Sequence, residues 1–150
     1  FFVWQGILSL FILHYPVWPS NVFIAPKHLS LTLMLASIFL VTAGWLELGR
    51  KGNASPNRKD DALFGFEKTT SLVSSGIFRY IRHPMYSSLL LLTWGAFCQR
   101  PTAPSTVIVV LTTIFLFLTA RADEKECLHY FGDAYQSYKE KTWAFVPYVY

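Results

Sequence analysis

Residues 84–120 indicate the fold class of this 150-residue chain; they read PMYSSLLLLTWGAFCQRPTAPSTVIVVLTTIFLFLTA. This stretch contains two apolar runs, 84–99 and 104–120, and Arg100 is the single Lys, Arg, Asp or Glu within it. A helix needs about 17–25 apolar residues to cross the ~30 Å hydrocarbon core of a bilayer, and both runs approach that length. The connection between them is very short, which predicts a tight antiparallel hairpin of two membrane helices.

Two earlier segments share this lack of charge. Residues 1–26 and 28–46 contain no Lys, Arg, Asp or Glu, and they predict two further spans at 1–18 and 29–46. Charged residues make up 15% of the chain, whereas a soluble domain carries about 25%. Four buried helices in a soluble protein would leave too little polar chain to cover them. The sequence therefore predicts one all-α domain over residues 1–150, an integral multi-pass membrane protein with about four transmembrane helices.

The basic residues indicate the orientation of these spans. Eleven of the 13 Lys and Arg residues lie in the loop 47–82 or the tail 121–150, while Lys27 and Arg100 occupy the other two connections. By the positive-inside rule, the loop and the C-terminal tail are predicted to be cytosolic.

The tail also has a helical pattern of its own. Apolar residues recur there at spacings of three and four: Leu128, Phe131, Tyr135 and Tyr138. This periodicity predicts a cytosolic amphipathic tail helix after Ala120, with Asp123, Lys125 and Glu126 off the apolar stripe.

Several classes of function find no support in the composition. A net charge of +4 is weak grounds for a nucleic-acid partner, and two cysteines form neither a disulfide framework nor a CxxC motif. The eight glycines give no GxGxxG and no P-loop, and the four histidines are too scattered for a membrane di-iron centre. We therefore expect no nucleic acid and no metal.

The richest motif is LVSSGIFRYIRHPMY, residues 72–86, at the junction of the loop and the third predicted span. The residue before a proline avoids the α region, and proline suits the first helical turn, so His83 is expected at the mouth of a helix with Tyr86 one turn inside. The helix N-terminus attracts an anion, and Arg79 and Arg82 strengthen that field. The alternative is a basic flank that anchors the helix at the lipid headgroups.

A second constellation, Arg121-Ala-Asp123-Glu124-Lys-Glu126, follows the last predicted span. Acidic residues at the start of an interfacial helix stabilise its N-terminus by about 0.3–1 kcal/mol each, which accounts for them without any function. Alternatively, the two constellations form a basic, aromatic rim and an acidic rim that close over a zwitterionic or cationic small molecule. Composition does not choose between these interpretations.

Taken together, these residues resemble the isoprenylcysteine carboxyl methyltransferase and phospholipid methyltransferase group of integral membrane enzymes. The resemblance rests on LVSSGIFRYIRHPMY, a helical hairpin and then RADEKECLHYFGDAYQSYKEKTWAFVP, and it covers about residues 63–147, with a looser likeness at GWLELGR, residues 44–50. It implies an S-adenosylmethionine-dependent methyltransferase that lies among membrane lipids. The implied acceptor is lipidic, such as a prenylcysteine carboxylate or a phospholipid amine.

The resemblance also implies which residues form the site. The implied cofactor contacts are Thr70, Ser71, Leu72, Val73, His83, Pro84, Met85 and Tyr86. A carboxylate of the tail, Asp123 or Glu124, would hold polar groups of the cofactor and act as a base for an amine acceptor. Aromatic faces such as Phe78, Tyr80 and Tyr86 would attract the sulfonium. Arg121 is the nearest match to an arginine that contacts substrate in the family. Phe78 stands where members often have Tyr.

Two alternatives stay open. Sterol reductases resemble this family at the tail and end in a similar Pro-Tyr-x-Tyr, here residues 147–150, which would make the chain an NADPH-dependent reductase. The third reading is a non-catalytic membrane scaffold or lipid-binding subunit that has kept the fold. Binding of S-adenosylmethionine, of NADPH or of neither separates the three.

Overall fold

A computed structural model describes residues 2–14, 25–51, 72–99 and 101–145 of the chain. The helices in these residues are α1 (Phe2–His14), α2 (Ala25–Lys51), α3 (Pro84–Gln99), α4 (Ala103–Phe131) and α5 (Asp133–Lys139), with a short 3₁₀ turn at Gly76–Arg79. Within the same residues there is no β-strand, and extended pairing is limited to a bridge between Ile81 and Trp143. The all-helical prediction is confirmed for this part of the chain.

Two of these helices are long and apolar enough to cross a bilayer, by length and composition: α2 over His28–Lys51 and α4 over Ala103–Phe131. Helix α3 begins and ends where the third span was predicted but has 16 residues, and α1 has 13. The predicted first span, 1–18, extends past the last described residue of α1. Four spans therefore stay a prediction.

The boundary between the last span and the tail differs from the prediction. Helix α4 begins at Ala103, where Thr102 and Ser105 form reciprocal bonds: the Ser105 Oγ accepts from the Thr102 N–H at 2.8 Å and the Thr102 Oγ1 accepts from the Ser105 N–H at 3.3 Å. The helix then continues without interruption through Asp123 to Phe131. The acidic residues thus lie deep inside a helix, and their interpretation as stabilisers of a new helix N-terminus is wrong.

The predicted amphipathic stripe of the tail is divided between two helices. Gly132, with φ +56°, separates α4 from α5. Tyr135 and Tyr138 are buried, but Leu128 is 42% exposed, and Asp123, predicted off the stripe, is only 2% exposed. The helix is interrupted at Gly132, so one helical periodicity does not hold across the break.

Helix α2 runs beyond its predicted apolar limits, 29–46, at both ends. Its last turn includes Glu47 and Lys51, whose side chains form an ion pair at 2.8 Å with the i, i+4 spacing of a helix. Residues 47–51, predicted as the start of the cytosolic loop, are therefore helical.

By contacts the chain divides into two compact units, Phe1–Phe39 with Ser88–Leu118 and Leu40–Ser87 with Thr119–Tyr150. The first unit packs parts of α1–α4 closely. The Ser30 hydroxyl donates to the Gly95 carbonyl at 2.6 Å, and a Cβ on Gly95 would lie 2.9 Å from the Met34 side chain. Large apolar side chains such as Ile12 and Phe39 are exposed, which is typical of helices that face lipid.

The second unit contains the end of α2, the 3₁₀ turn, the start of α3, the end of α4 and α5. Its buried side chains are mostly aromatic or polar: Phe78, His83, Tyr86, Asp123, Tyr135, Tyr138 and Phe145. Both sequence constellations belong to this unit, and the candidate site lies within it.

Candidate functional site

The segment that precedes α3 is shaped by a tight turn. Gly76 has φ +58°, a conformation that L side chains rarely adopt, and it opens the 3₁₀ turn. The Phe78 N–H bonds to the Ser75 carbonyl at 3.1 Å, and the Ile81 N–H bonds to the Ile77 carbonyl at 3.1 Å. This turn buries the Phe78 ring.

The segment after α5 then pairs with this turn. The Arg82 N–H donates to the Trp143 carbonyl at 2.8 Å, and the His83 N–H donates to the Ala144 carbonyl at 3.0 Å. A side chain of α3 also takes part, because the Ser87 hydroxyl donates to the Phe145 carbonyl at 2.8 Å. The tail therefore supplies partners for backbone groups that a helix entry otherwise leaves unpaired.

Glu124 lies at the centre of a cluster of basic side chains. Its Oε1 accepts from the Arg82 Nε at 2.8 Å and lies 3.4 Å from the His83 Nε2, while its Oε2 pairs with the Lys139 Nζ at 2.7 Å. The same arginine also donates to the Lys139 carbonyl at 3.0 Å and to the Thr142 carbonyl. The carboxylate thus ties α4, α5 and the loop before α3 together.

His83 is the N-terminal cap of α3. Its carbonyl accepts the Ser87 N–H at 2.9 Å, and Pro84 follows as the first helical residue. Its ring stacks on the Tyr86 ring at 5.6 Å between centroids. Burial lowers the pKa of the His83 imidazole against the opposing effect of Glu124, so the ring is neutral at physiological pH.

Asp123, the neighbour of Glu124, has a different environment. The Tyr86 hydroxyl donates to its Oδ2, and the carboxylate is buried. A buried carboxylate with a hydroxyl donor is a candidate partner for a cation or a polar group of a ligand.

A pocket opens beside these residues, with about 650 Å³ of open space including its mouth. Its walls are Leu48, Leu72, Val73, Phe78, Arg82, His83, Pro84, Met85, Asp123, Cys127, Phe131, Tyr135 and Tyr138. Burial raises the pKa of the Tyr135 and Tyr138 phenols, so both keep their protons. The pocket is therefore aromatic and apolar, with one buried carboxylate and one arginine.

The structure brings most of the predicted site residues to this pocket. Seven of them line it: Leu72, Val73, Phe78, His83, Pro84, Met85 and Asp123. Tyr86 bonds to Asp123. Glu124 does not line the pocket, because its carboxylate is bound by the basic side chains of Arg82 and Lys139. Arg121 is exposed and does not line the pocket either. Thr70 and Ser71 lie outside the described residues.

Sequence reasoning missed five of the lining residues as site residues: Leu48, Cys127, Phe131, Tyr135 and Tyr138. Three of them belong to the apolar stripe of the tail, which was interpreted as the face of an amphipathic helix. A signal was present, because Asp123, Cys127 and Phe131 recur every four residues and so share one side of α4. That signal has meaning only once α4 is known to continue past Ala120.

The described residues contain no group of three or more His, Cys, Asp or Glu side chains close enough to hold a metal ion. Over the described residues the fold and the pocket together define an all-helical protein of membrane type, with an aromatic and apolar pocket that contains one buried carboxylate. The chain belongs to the phospholipid methyltransferase family, which it matches over residues 26–134.

Curated relatives carry methyltransferase and reductase names. A methanethiol S-methyltransferase from Pseudomonas sp. is 25% identical over 147 residues, which is 98% of this chain and 54% of that protein. A protein-S-isoprenylcysteine O-methyltransferase from Mus musculus is 29% identical over 83 residues, 54% of this chain and 29% of that protein. A Delta(14)-sterol reductase from Mus musculus is 28% identical over 138 residues, 83% of this chain and 33% of that protein.

The chain spans between 29% and 54% of the length of these three curated relatives. No solved structure gives a significant match.

Proposed function

We propose that this protein is an S-adenosylmethionine-dependent methyltransferase that acts on a lipidic acceptor at the cytosolic face of a membrane, which it spans about four times. The observation that carries the proposal is the pocket, which is lined by seven residues of the LVSSGIFRYIRHPMY motif together with the buried Asp123. Membership of a methyltransferase family supports the same reaction class.

The chemistry of the lining suits this cofactor. When bound, S-adenosylmethionine supplies an electrophilic methyl carbon on a sulfonium, which a nucleophile takes in line while the sulfur leaves as a thioether. Asp123 would pair with a cationic or hydroxyl group of the cofactor. The rings of Phe78, Tyr135 and Tyr138 would attract the sulfonium charge. Arg82, which also lines the pocket, would attract its carboxylate.

In the reaction, the protein would chiefly position the cofactor and the acceptor and exclude water from them. A prenylcysteine carboxylate is already a nucleophile and needs no base. A phospholipid amine must lose a proton, and Asp123 is the carboxylate that lines the pocket. Arg121 is proposed as a contact for the acceptor, outside the pocket wall. The lipid would enter from between the spans and the cofactor from the cytosol.

A small thiol is the second candidate acceptor. The relative that covers 98% of this chain is named a methanethiol S-methyltransferase, and the largely apolar lining would accept a small apolar thiol as readily as the head of a lipid. The reaction class is the same, so one binding experiment tests both.

That experiment measures equilibrium binding of S-adenosylmethionine, S-adenosylhomocysteine and NADPH to the detergent-purified chain. We expect micromolar binding of the first two, weakened about tenfold or more in Asp123→Asn because a charged hydrogen bond is lost. Glu140→Gln, an exposed carboxylate of the same unit, is the matched control. Binding of NADPH alone would replace the proposal with a reductase. Binding of neither to folded protein would favour the non-catalytic scaffold.

Transfer of a labelled methyl group then identifies the acceptor. An N-acetylated S-prenylcysteine, phosphatidylethanolamine and methanethiol are offered separately to the purified chain in lipid nanodiscs. Labelling of either lipidic compound supports the proposed acceptor class, and labelling of methanethiol alone would assign the second candidate.

A further inference from the structure

One cluster of polar side chains in the second unit has no part in the site described above. The Glu47 Oε1 near the end of α2 accepts from the Ser75 hydroxyl at 2.6 Å and pairs with the Lys51 Nζ at 2.8 Å. The Lys51 Nζ also donates to the Ser75 Oγ at 2.8 Å. The three side chains therefore form a closed set of bonds between α2 and the segment before the 3₁₀ turn.

The backbone at Gly76 fits the same carboxylate. A Cβ on Gly76 would lie 2.8 Å from the Glu47 Cδ, closer than real Cβ contacts allow. A side chain at position 76 would therefore displace the Glu47 carboxylate, and the φ of +58° would strain that residue as well. The carboxylate can lie against residues 75–76 because position 76 has no side chain.

This end of α2 is also a wall of the pocket. Leu48 follows Glu47 and lines the pocket, as do Leu72 and Val73 just before Ser75. One turn earlier in α2, a Cβ on Gly44 would lie 3.0 Å from the Met85 sulfur, so the helix and the start of α3 are closely packed. Glu47 thus connects two walls of the pocket without lining it.

From this geometry we propose that Glu47 is a positioning residue for cofactor binding. Its carboxylate holds Ser75 and Gly76 against α2, and thereby keeps residues 72–75 in the conformation that forms the pocket wall. The inference rests on the proposed function, because the ligand is the cofactor assigned above. It predicts an effect on affinity and not on the chemical step.

The test compares Glu47→Ala, Glu47→Gln and Ser75→Ala with Glu140→Ala as an exposed control. We expect Glu47→Ala to raise the Kd for S-adenosylhomocysteine about tenfold, because a charged hydrogen bond is lost, with kcat at saturating cofactor within about twofold of wild type. Glu47→Gln keeps an oxygen that accepts from Ser75, so it should restore most of the affinity. Ser75→Ala removes one hydroxyl and should have an intermediate effect, which keeps the test available if Glu47→Ala does not fold.

Amide hydrogen exchange provides a readout that does not depend on the cofactor. In Glu47→Ala without ligand, exchange over residues 72–76 should become about tenfold faster, as expected for local opening. Exchange at Arg82 and His83, whose amides bond to the segment after α5, should stay unchanged. Equal exchange over 72–76 in variant and wild type would overturn the inference, as would unchanged affinity or a loss confined to kcat. If wild type binds no cofactor, the proposed function fails, and the exchange result alone decides whether Glu47 holds this segment.

Discussion

Glu124 shows how the role of a single residue depends on its surroundings. As a tail carboxylate it was expected to hold polar groups of the cofactor, but its two oxygens are engaged by Arg82, His83 and Lys139. The Arg82 side chain is largely buried, as is that of Glu124. A buried arginine that loses its carboxylate keeps its desolvation cost without compensation.

We therefore predict that Glu124→Ala mainly destabilises the fold. Removing one partner of a buried ion pair costs about 3–5 kcal/mol, and the free energy of unfolding, measured by denaturant titration in detergent, should fall by an amount near the lower end of that range. Glu140→Ala, which removes an exposed carboxylate, should leave it unchanged. Equal stability of Glu124→Ala and Glu140→Ala would show that the bonds from Glu124 to its basic neighbours do not stabilise the fold.

His83 makes the stability of the fold depend on pH. Its folded pKa is lowered below the ordinary value of 6.5, primarily by burial. Below about pH 6.5 the unfolded chain binds a proton that the folded chain does not, so stability is complete above this pH and declines as the pH falls.

The free energy of unfolding is expected to fall as the pH is lowered from 7.5 to 5.5, because burial disfavours the protonated imidazole in the folded state alone. Thermal unfolding of wild type and His83→Gln over this range measures it, and the variant should show the smaller dependence. The exposed His129→Gln is the matched control and should behave as wild type. Parallel pH profiles for wild type and His83→Gln would exclude His83 as the cause of the pH dependence of stability.

At the scale of elements, the break between α4 and α5 is the feature that periodicity did not predict. Gly132 has φ +56°, and nothing lies within 4 Å of the position a Cβ would occupy. A side chain there has space but must adopt a positive φ with ψ −131°, so the cost of a substitution comes from the backbone alone.

Gly132→Ala should therefore lower the free energy of unfolding by about 1–3 kcal/mol, the cost of holding an L residue in a sparsely populated backbone conformation. Gly49→Ala is the natural comparison, because Gly49 is helical and also has open space at its Cβ. It should be neutral or stabilising by up to about 1 kcal/mol, since alanine favours a helix over glycine. Denaturant titration of both variants measures the difference, and a neutral Gly132→Ala would show that the break tolerates other conformations.

For the whole molecule, the distribution of basic residues predicts that the loop 47–82 and the tail lie on the same, cytosolic side. The prediction can be tested by introducing single cysteines, one at a time, into a variant in which Cys98 and Cys127 have been replaced. A cysteine at the exposed Lys141 should react with an impermeant maleimide only from the cytosolic side, and one at the exposed Pro101 only from the opposite side. Labelling of both from one side would contradict the four-span topology.

The sequence alone was sufficient to predict the all-helical class of fold and seven of the residues that line the pocket. Long runs without charge predict membrane helices because a bilayer excludes unpaired charge along some 30 Å of helix. The motif 72–86 was predictive because proline, glycine and the residues near them restrict the backbone locally. The start of α3 at Pro84 followed from that local restriction.

Tertiary structure decided which acidic residue faces the pocket and which does not. Asp123 and Glu124 are adjacent in sequence, but about 100° of helical rotation separates them, so Asp123 lines the pocket while Glu124 binds Arg82 and Lys139. Tyr135 and Tyr138 also line the pocket, although the break at Gly132 separates them from α4. Local pattern determines which residues can be helical, but only long-range packing determines which side of each helix meets another segment of the chain.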